Sequence, residues 1–344
     1  MAGSDSRTHV VLCLAPLAAG WLERLQKISP DLRIERRSSG EVNTIPEDLW
    51  QEVEILYTFG RNLPFPERVP DLRWVQLYSA GVNQVQNQPL FKTEAIFTTA
   101  SGVHSINIAE YVFTVVLAQF HRFPTMLEWQ HKGEWPPASK SQALFMPQEL
   151  WQKTIGIVGY GSIGRQVARL ASGFGMRILA MQRGTDHRDH GFQFPGVGDP
   201  DGALPERYYS PDQLHAMLGE SDIVVISVPL TPETQGMLDK AAFQAMKSTA
   251  FLVNIARGDV CNETDLIRAL QEKQIAGAAL DVFHQEPLPS NSPLWHLPNV
   301  FISPHISGLT PEYDKRVAMI FEENLRRYLA GEPLYNVVDK ERGY

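Results

Sequence analysis

Two cysteines, Cys13 and Cys261, are all that the 344 residues contain, and they stand far apart with no Cys-x-x-Cys pair. A disulfide-stapled scaffold and a zinc ribbon are therefore excluded. Basic residues are also outnumbered: 31 Lys and Arg against 39 Asp and Glu give a formal net charge of −8. Nucleic-acid-binding domains carry a basic stripe or patch, so no nucleic-acid partner is expected. No apolar run approaches the roughly 18 residues of a membrane helix, and no membrane partner is expected either. The nearest run, residues 10–19, superficially resembles a signal-peptide core, but residues 10–14 read as a buried first strand. An amphipathic stretch with Trp21, Leu22, Leu25 and Ile28 follows it, and strand-then-helix is how an α/β domain begins. No His-Glu-x-x-His motif or Cys/His cluster appears, so no metal is expected. The expected location is the cytoplasm.

Short apolar runs alternate with helical patterns along almost the whole chain. The runs lie at residues 55–57, 74–77, 155–158, 178–180, 223–226 and 250–255, and this alternation predicts parallel sheets covered on both faces. Residues 105–129 form a long apolar helical pattern with a break near its end at Pro124. A helix of that kind must bury against something large, so a domain junction or subunit interface is expected there. Two segments read as loops. Residues 133–146, with Trp135, Pro136, Pro137, Phe145 and Met146, look like an excursion and not a helix. Residues 183–207 are rich in glycine and proline, and a loop so long is usually functional or mobile. Asn262 reads as the cap of a helix with Asp265 in its first turn.

Gly159-Tyr160-Gly161-Ser162-Ile163-Gly164 fits Gly-x-Gly-x-x-Gly in the right context. A buried-strand pattern precedes it at 153–158, and a helical pattern with small Ala168 follows from Arg165. The chemistry needs a tight turn, close backbone approach to a pyrophosphate, and amide hydrogens at a helix N-terminus facing its charge. The next strand, 177–181, should end at the adenosine ribose, where an acidic residue would select NAD. Gln182 and Arg183 stand there instead. A missing carboxylate and a present cation predict preference for NADP(H), with NAD(H) as the second cofactor. The competing reading makes Arg183 a solvated loop residue and brings Asp186 to the ribose. The fingerprint's mid-chain position implies a nucleotide domain, residues 103–305, inserted into a substrate domain built from 1–102 and 306–344. A short-chain dehydrogenase is disfavoured, since no tyrosine has lysine four positions later.

Four further segments follow strand patterns in order: Ser227-Val228-Pro229 leading to Thr234, Asn254-Ile255-Ala256-Arg257-Gly258, Asp281-Val282-Phe283 with Glu286, and Pro304-His305-Ile306-Ser307-Gly308. In an open parallel sheet such strand ends line the ligand crevice. Arg257 there can clamp a carboxylate through two parallel hydrogen bonds and polarise a neighbouring carbonyl. His305 suits the general acid that hydride reduction of a ketone requires. Glu286 can hold that imidazole, and a carboxylate beside histidine favours its protonated form.

With these motifs in this order, from Val10 almost to the end, the chain resembles the NAD(P)-dependent D-2-hydroxyacid dehydrogenases, the family of phosphoglycerate dehydrogenases and glyoxylate/hydroxypyruvate reductases. The resemblance implies two Rossmann-like, doubly wound parallel-sheet α/β domains. It also implies reduction of a 2-oxo acid to a D-2-hydroxy acid by hydride from a reduced nicotinamide cofactor, which Gln182 and Arg183 predict to be NADPH. By the same resemblance Arg257 binds the substrate carboxylate, His305 is the acid/base and Glu286 its partner. Asp281 contacts the nicotinamide carboxamide. Ser79, Ala80 and Gly81 form an amide loop that holds the carboxylate. Gly159, Gly161, Ser162, Ile163, Gly164, Gln182, Arg183, Val228, Pro229, Thr234, Ile255, Asp281 and Gly308 make the cofactor site, with Arg257 and His305 bordering it. A homodimer is expected. Tyr57, Phe59, Tyr78, Phe145 and Met146 suggest an apolar pocket for bulky 2-oxo acids such as phenylpyruvate. The alternative function is a nucleotide-sensing transcriptional corepressor on the same fold. Formate dehydrogenase, a second relative, pairs its histidine with glutamine, and Glu286 argues against it.

Overall fold

The computed structural model describes residues 8–343, so residues 1–7 and 344, which the expected domain limits include, lie outside the described residues. Two units divide the chain. One comprises Met1–His104, His190–Phe192 and Thr310–Tyr344, the other Ser105–Asp189 and Gln193–Leu309. Each is built on one sheet, and every pairing within the two sheets is parallel. Both are α/β, as the alternating pattern predicts.

In the first unit the strands are β1 (His9–Cys13), β2 (Leu32–Arg36), β3 (Ile55–Thr58), β4 (Trp74–Leu77) and β5 (Ile96–Thr98), in the order β2-β1-β3-β4-β5. β3 and β4 are buried at every position, which is why they read as unbroken apolar runs and not as alternation. Leu56, Val75 and Phe97 point to one face, where Trp50 also packs. The helix Tyr313–Ala330 covers the other: Phe321 stacks on Tyr57 at 4.7 Å and lies 5.5 Å from Trp74. The end of the chain thereby completes the unit that its beginning starts. A buried polar chain joins them, with Trp74 Nε1 donating to Thr98 Oγ1 at 2.7 Å. Thr98 Oγ1 and Asn324 Nδ2 both donate to Gln76 Oε1, at 2.8 and 3.2 Å.

The second unit holds β6 (Thr154–Val158), β7 (Arg177–Met181), β8 (Arg207–Tyr209), β9 (Ile223–Ile226), β10 (Phe251–Asn254), β11 (Gly277–Leu280) and β12 (Val300–Ile302). Their order is β12-β11-β10-β9-β6-β7-β8, so the winding reverses between β6 and β9. Such a switch point is where a parallel sheet leaves room for a ligand beyond its strand ends. Apolar clusters cover both faces, one including Met217, Phe243 and Leu266, the other Val112, Phe113, Val167 and Phe251. Asn262 caps the helix Glu263–Gln271 by accepting from Asp265 N at 3.1 Å, as its sequence suggests.

Two expectations need adjustment. The break expected near the end of the long helical pattern is present and divides it into two helices, Ser105–Phe120 and Phe123–Lys132. It falls two residues before Pro124, at Arg122, which adopts a left-handed φ of 57°. Pro124 lies in the first turn of the second helix, where a missing N–H costs nothing. The excursion also contains a helix, Ala138–Phe145. Pro136 and Pro137 read as loop signals, but proline directly before a helix also fixes its entry.

The segment 183–207 has no regular structure before β8, yet it is firmly tied down. Arg165, 2% exposed, donates to Asp199 O at 2.6 Å and His187 O at 2.8 Å. The Tyr160 hydroxyl donates to Asp199 Oδ2 at 2.6 Å, and that carboxylate also accepts from Ala203 N and Leu204 N. His187 stacks flat on Tyr208 at 3.5 Å. A loop held by a buried guanidinium is ordered structure.

Candidate active site

Because the seven-stranded sheet is parallel throughout, its strands end on one edge, and the singled-out residues of this unit follow those ends. After β6, Gly159 has φ 99°, and a Cβ there would lie 2.8 Å from Val228 Cγ1 and 3.0 Å from Ser227 C. The turn therefore touches the loop after β9, and Ser227 Oγ donates to Gly159 O at 2.8 Å. A Cβ on Gly164 would lie 2.3 Å from Gly159 O, so only glycine lets the helix Ser162–Gly173 start so close. Gly161 differs: apart from its own chain neighbours nothing lies within 4 Å of its would-be Cβ, and it caps the helix without a side-chain hydrogen bond. The amides of Ser162, Ile163 and Gly164 are thus left uncapped by any side chain. This cradle fits a dinucleotide pyrophosphate, which needs backbone approach and helix-end amides.

Around it, Thr234, buried, pins the loop after β9 by donating to Pro229 O at 2.6 Å and accepting from Thr231 N at 2.8 Å. Val228 and Ile255 are buried at the ends of β9 and β10. At the end of β7, Gln182 spends its side chain on Asp186 O, 2.8 Å away, while Arg183 is exposed. Hydrogen bonds from Thr231 and its own backbone hold the Glu233 carboxyl below its usual range, and the charge of Arg183 adds to this.

Arg257 follows β10 and is exposed, its Nη1 donating to Ala256 O at 2.7 Å. Asn254, 1% exposed, shapes that turn: its Oδ1 accepts from Ala256 N at 3.1 Å and its Nδ2 donates to Arg257 O at 3.2 Å. Gly258 packs backbone against backbone, since a Cβ there would lie 1.9 Å from Phe283 C. Glu286, in the loop after β11, accepts from Phe283 N at 3.0 Å through Oε1. Its Oε2 meets His305 Nδ1 at 2.7 Å. Nε2 of that half-exposed imidazole is the nitrogen left to face a substrate.

Asp281 is almost wholly buried, and its carboxylate takes four hydrogen bonds. Oδ1 accepts from Ser303 Oγ at 2.5 Å and Ile306 N at 2.9 Å; Oδ2 accepts from Ser307 N at 3.0 Å and Ser307 Oγ at 2.5 Å. Its carbonyl accepts from His305 N at 2.9 Å. Four bonds fill a carboxylate's accepting capacity. Asp281 thus clamps the loop that carries His305 and Gly308, and His305 itself is held at a left-handed φ of 55°.

Ser79, Ala80 and Gly81 belong to the first unit, after β4. Ser79 Oγ donates to Gly81 O at 2.7 Å and accepts from Gln84 Nε2 at 2.6 Å, and no protein atom lies within 4 Å of a Cβ on Gly81. Of the proposed pocket residues, Tyr57 is unavailable: it is fully buried, stacked on Phe321, with its hydroxyl on Pro16 O at 3.0 Å. Phe59 is exposed and 4.5 Å from Tyr78, whose hydroxyl donates to Asp314. Both cysteines are buried, which pushes each thiol up to about 12 and leaves it inert.

Residues 113–307 match the family model described as D-isomer specific 2-hydroxyacid dehydrogenase, NAD binding domain. The chain belongs to that family. It is 37% identical over 282 residues to a glyoxylate reductase of Thermococcus gammatolerans, covering 80% of this chain and 78% of that one. To a glyoxylate reductase of Korarchaeum cryptofilum it is 35% identical over 278 residues, with the same coverage. A D-isomer specific 2-hydroxyacid dehydrogenase from Xanthobacter autotrophicus Py2, solved with NADPH and MES, is similar at TM-score 0.75 and 28% identity, covering 98% of this chain and 100% of that one. The family member described here is an NAD(P)-dependent oxidoreductase for 2-oxo and 2-hydroxy acids. These relatives give the corepressor alternative no support.

Sequence reasoning singled out the segments that contain Asn254 and Ser307 but gave those residues no role, and it missed Ser303. Ser303, Ser307 and Asn254 act through local geometry that a motif does not reveal. Arg165 did leave a signal, as a cation inside a helix whose neighbours Gln166, Val167 and Ala168 are all buried. Among the described residues, no group of three or more His, Cys, Asp or Glu side chains could hold a metal ion, and no helix is long and apolar enough to cross a membrane.

Proposed function

We propose that this chain reduces 2-oxo acids to D-2-hydroxy acids with NADPH, glyoxylate among its substrates. The observation that carries the reading is the His305–Glu286 pair at 2.7 Å, on the strand-end edge that also bears Arg257 and the glycine cradle. NADPH, when bound, supplies the hydride. Gly159, Gly161, Ser162, Ile163 and Gly164 would hold its pyrophosphate, with Val228, Pro229, Thr234, Ile255 and Gly308 bordering the rest. Gln182 and Arg183 stand where the ribose 2′ group is read. The lack of a free carboxylate among them favours the 2′-phosphate, as does the NADPH carried by the Xanthobacter relative. The substrate carboxylate goes to Arg257, whose fork can also polarise the neighbouring C2 carbonyl. His305 gives its proton to that oxygen as C2 accepts hydride, and Glu286 stabilises the charge and orients the ring. Ser79, Ala80 and Gly81 are proposed as substrate-binding residues of their own unit.

Substituting His305→Gln should lower turnover by about 10²–10⁴ while NADPH still quenches protein fluorescence with unchanged affinity. Undiminished turnover removes the assignment. For the substrate, the names of the relatives favour glyoxylate. A second reading, preference for bulky oxo acids, keeps the support of the Phe59–Tyr78 contact and the 5.0 Å approach of Tyr313 to Tyr78, but has lost Tyr57. We also propose a homodimer. Phe123, Met126 and Leu127 are exposed on one helix, followed by Trp135, Met146 and Trp151, an apolar series that a second copy would cover.

A further inference from the structure

The turn bearing Arg257 and the loop bearing Glu286 meet at one place, and a charged pair spans it. His284 Nδ1 bonds to Asp259 Oδ1, which lies two residues after Arg257. Its backbone N donates to Glu263 Oε2 at 3.0 Å, in the first turn of the helix Glu263–Gln271. Between them Gly258 has its backbone against Phe283 and His284: a Cβ would lie 2.1 Å from Phe283 O and 2.4 Å from His284 N. On the far side, Phe283 N donates to Glu286 Oε1, whose other oxygen holds His305. An unbroken line thus runs from Arg257 through Asp259 and His284 to Glu286 and His305. Neither Asp259 nor His284 has any place in the cofactor or substrate residues proposed above.

We propose that Asp259 and His284 are positioning residues, whose charged pair sets the spacing between the carboxylate clamp and the proton donor. The inference rests on the roles given above to Arg257, Glu286 and His305. The groups facing the His284 imidazole are the carboxylates of Asp259 and Glu263. The Asp259 hydrogen bond and charge raise its pKa above 6.5, a weak opposition coming from burial, and Glu263 adds to the rise. A raised value means that the pair is fully charged below about 6.5 and is lost as pH climbs through the folded-state pKa. The brace is therefore tight in mild acid and slack in alkali. Because the pair is solvent-exposed, its effect is modest; exposed ion pairs are worth at most about fivefold in an equilibrium.

The test compares kcat and KM for glyoxylate with NADPH at pH 6 to 9 in the full-length enzyme, His284→Ala and Asp259→Asn. Each variant should lower kcat/KM about two- to fivefold at pH 6, chiefly through kcat, with NADPH affinity unchanged. The deficit should shrink as pH rises through the raised folded-state pKa of His284, where the parent's own pair discharges. The double variant should lose no more than either single one. His284→Lys, which keeps a cation across the range, should restore part of the rate and flatten the convergence. A deficit that is the same at every pH marks a merely structural role and overturns the proposal, as does no deficit at all. Since Asp259→Asn leaves the loop after β11 unaltered, misfolding of His284→Ala alone does not blunt the test. His305→Gln serves as the control: retained turnover there defeats the underlying site reading, whereas collapse there with pH-independent His284 and Asp259 variants defeats only this inference.

Discussion

His305 lies at φ 55°, a region where a residue with a Cβ stays only if its surroundings hold it. Asp281 provides that hold, through one carbonyl and four carboxylate hydrogen bonds. Asp281→Asn turns one acceptor into a donor facing buried donors, at a cost of about 1–3 kcal/mol for each group left unsatisfied. We expect a lower melting temperature and a fall in turnover that outweighs any change in NADPH affinity; unchanged stability contradicts the clamp. At this scale the sequence is legible where a residue's type carries its chemistry. Arg257, Glu286 and His305 stand out because the proposed reaction, clamping a carboxylate and moving a proton, needs groups of those types. The clamp itself was not legible, since Ser303 and Ser307 are ordinary residues that matter only through where two loops meet.

Strands and helices follow from apolar periodicity, and β3, β6, β9 and β10 lie where unbroken apolar runs put them. Boundaries set by backbone conformation were harder. Pro124 put the break in the long helical pattern two residues late, since nothing in the side chain of Arg122 announces a left-handed turn. The segment 183–207 reads as a functional or mobile loop from its length and glycines, and nothing in its own sequence shows that Arg165 and Asp199 fasten it from within. Arg165→Met keeps the aliphatic stem and removes the charged hydrogen bonds, each worth about 1.5–3 kcal/mol. Limited proteolysis should then cut within 183–207 many times faster than in the parent, with the sheet intact by circular dichroism. Equal cleavage rates contradict a guanidinium anchor.

For the molecule as a whole, the parallel sheets were predictable because each buries both faces and so needs continuous apolar strands. The three-residue return of the long loop, His190–Phe192, to the first unit was not. It depends on single backbone bonds such as Phe192 N to Asn336 Oδ1 at 3.1 Å. The exposed apolar series from Phe123 to Trp151 predicts a dimer by multi-angle light scattering at micromolar concentration, and a stable monomer removes that proposal. Purified protein should be mixed with NADPH or NADH and a series of 2-oxo acids running from glyoxylate to phenylpyruvate, following the loss of absorbance of the reduced nicotinamide. The cofactor should be oxidised, faster as NADPH than as NADH, with glyoxylate turned over and the D-isomer formed from larger acids. No oxidation with any acid, in a protein that still binds NADPH, rules out the proposed reaction.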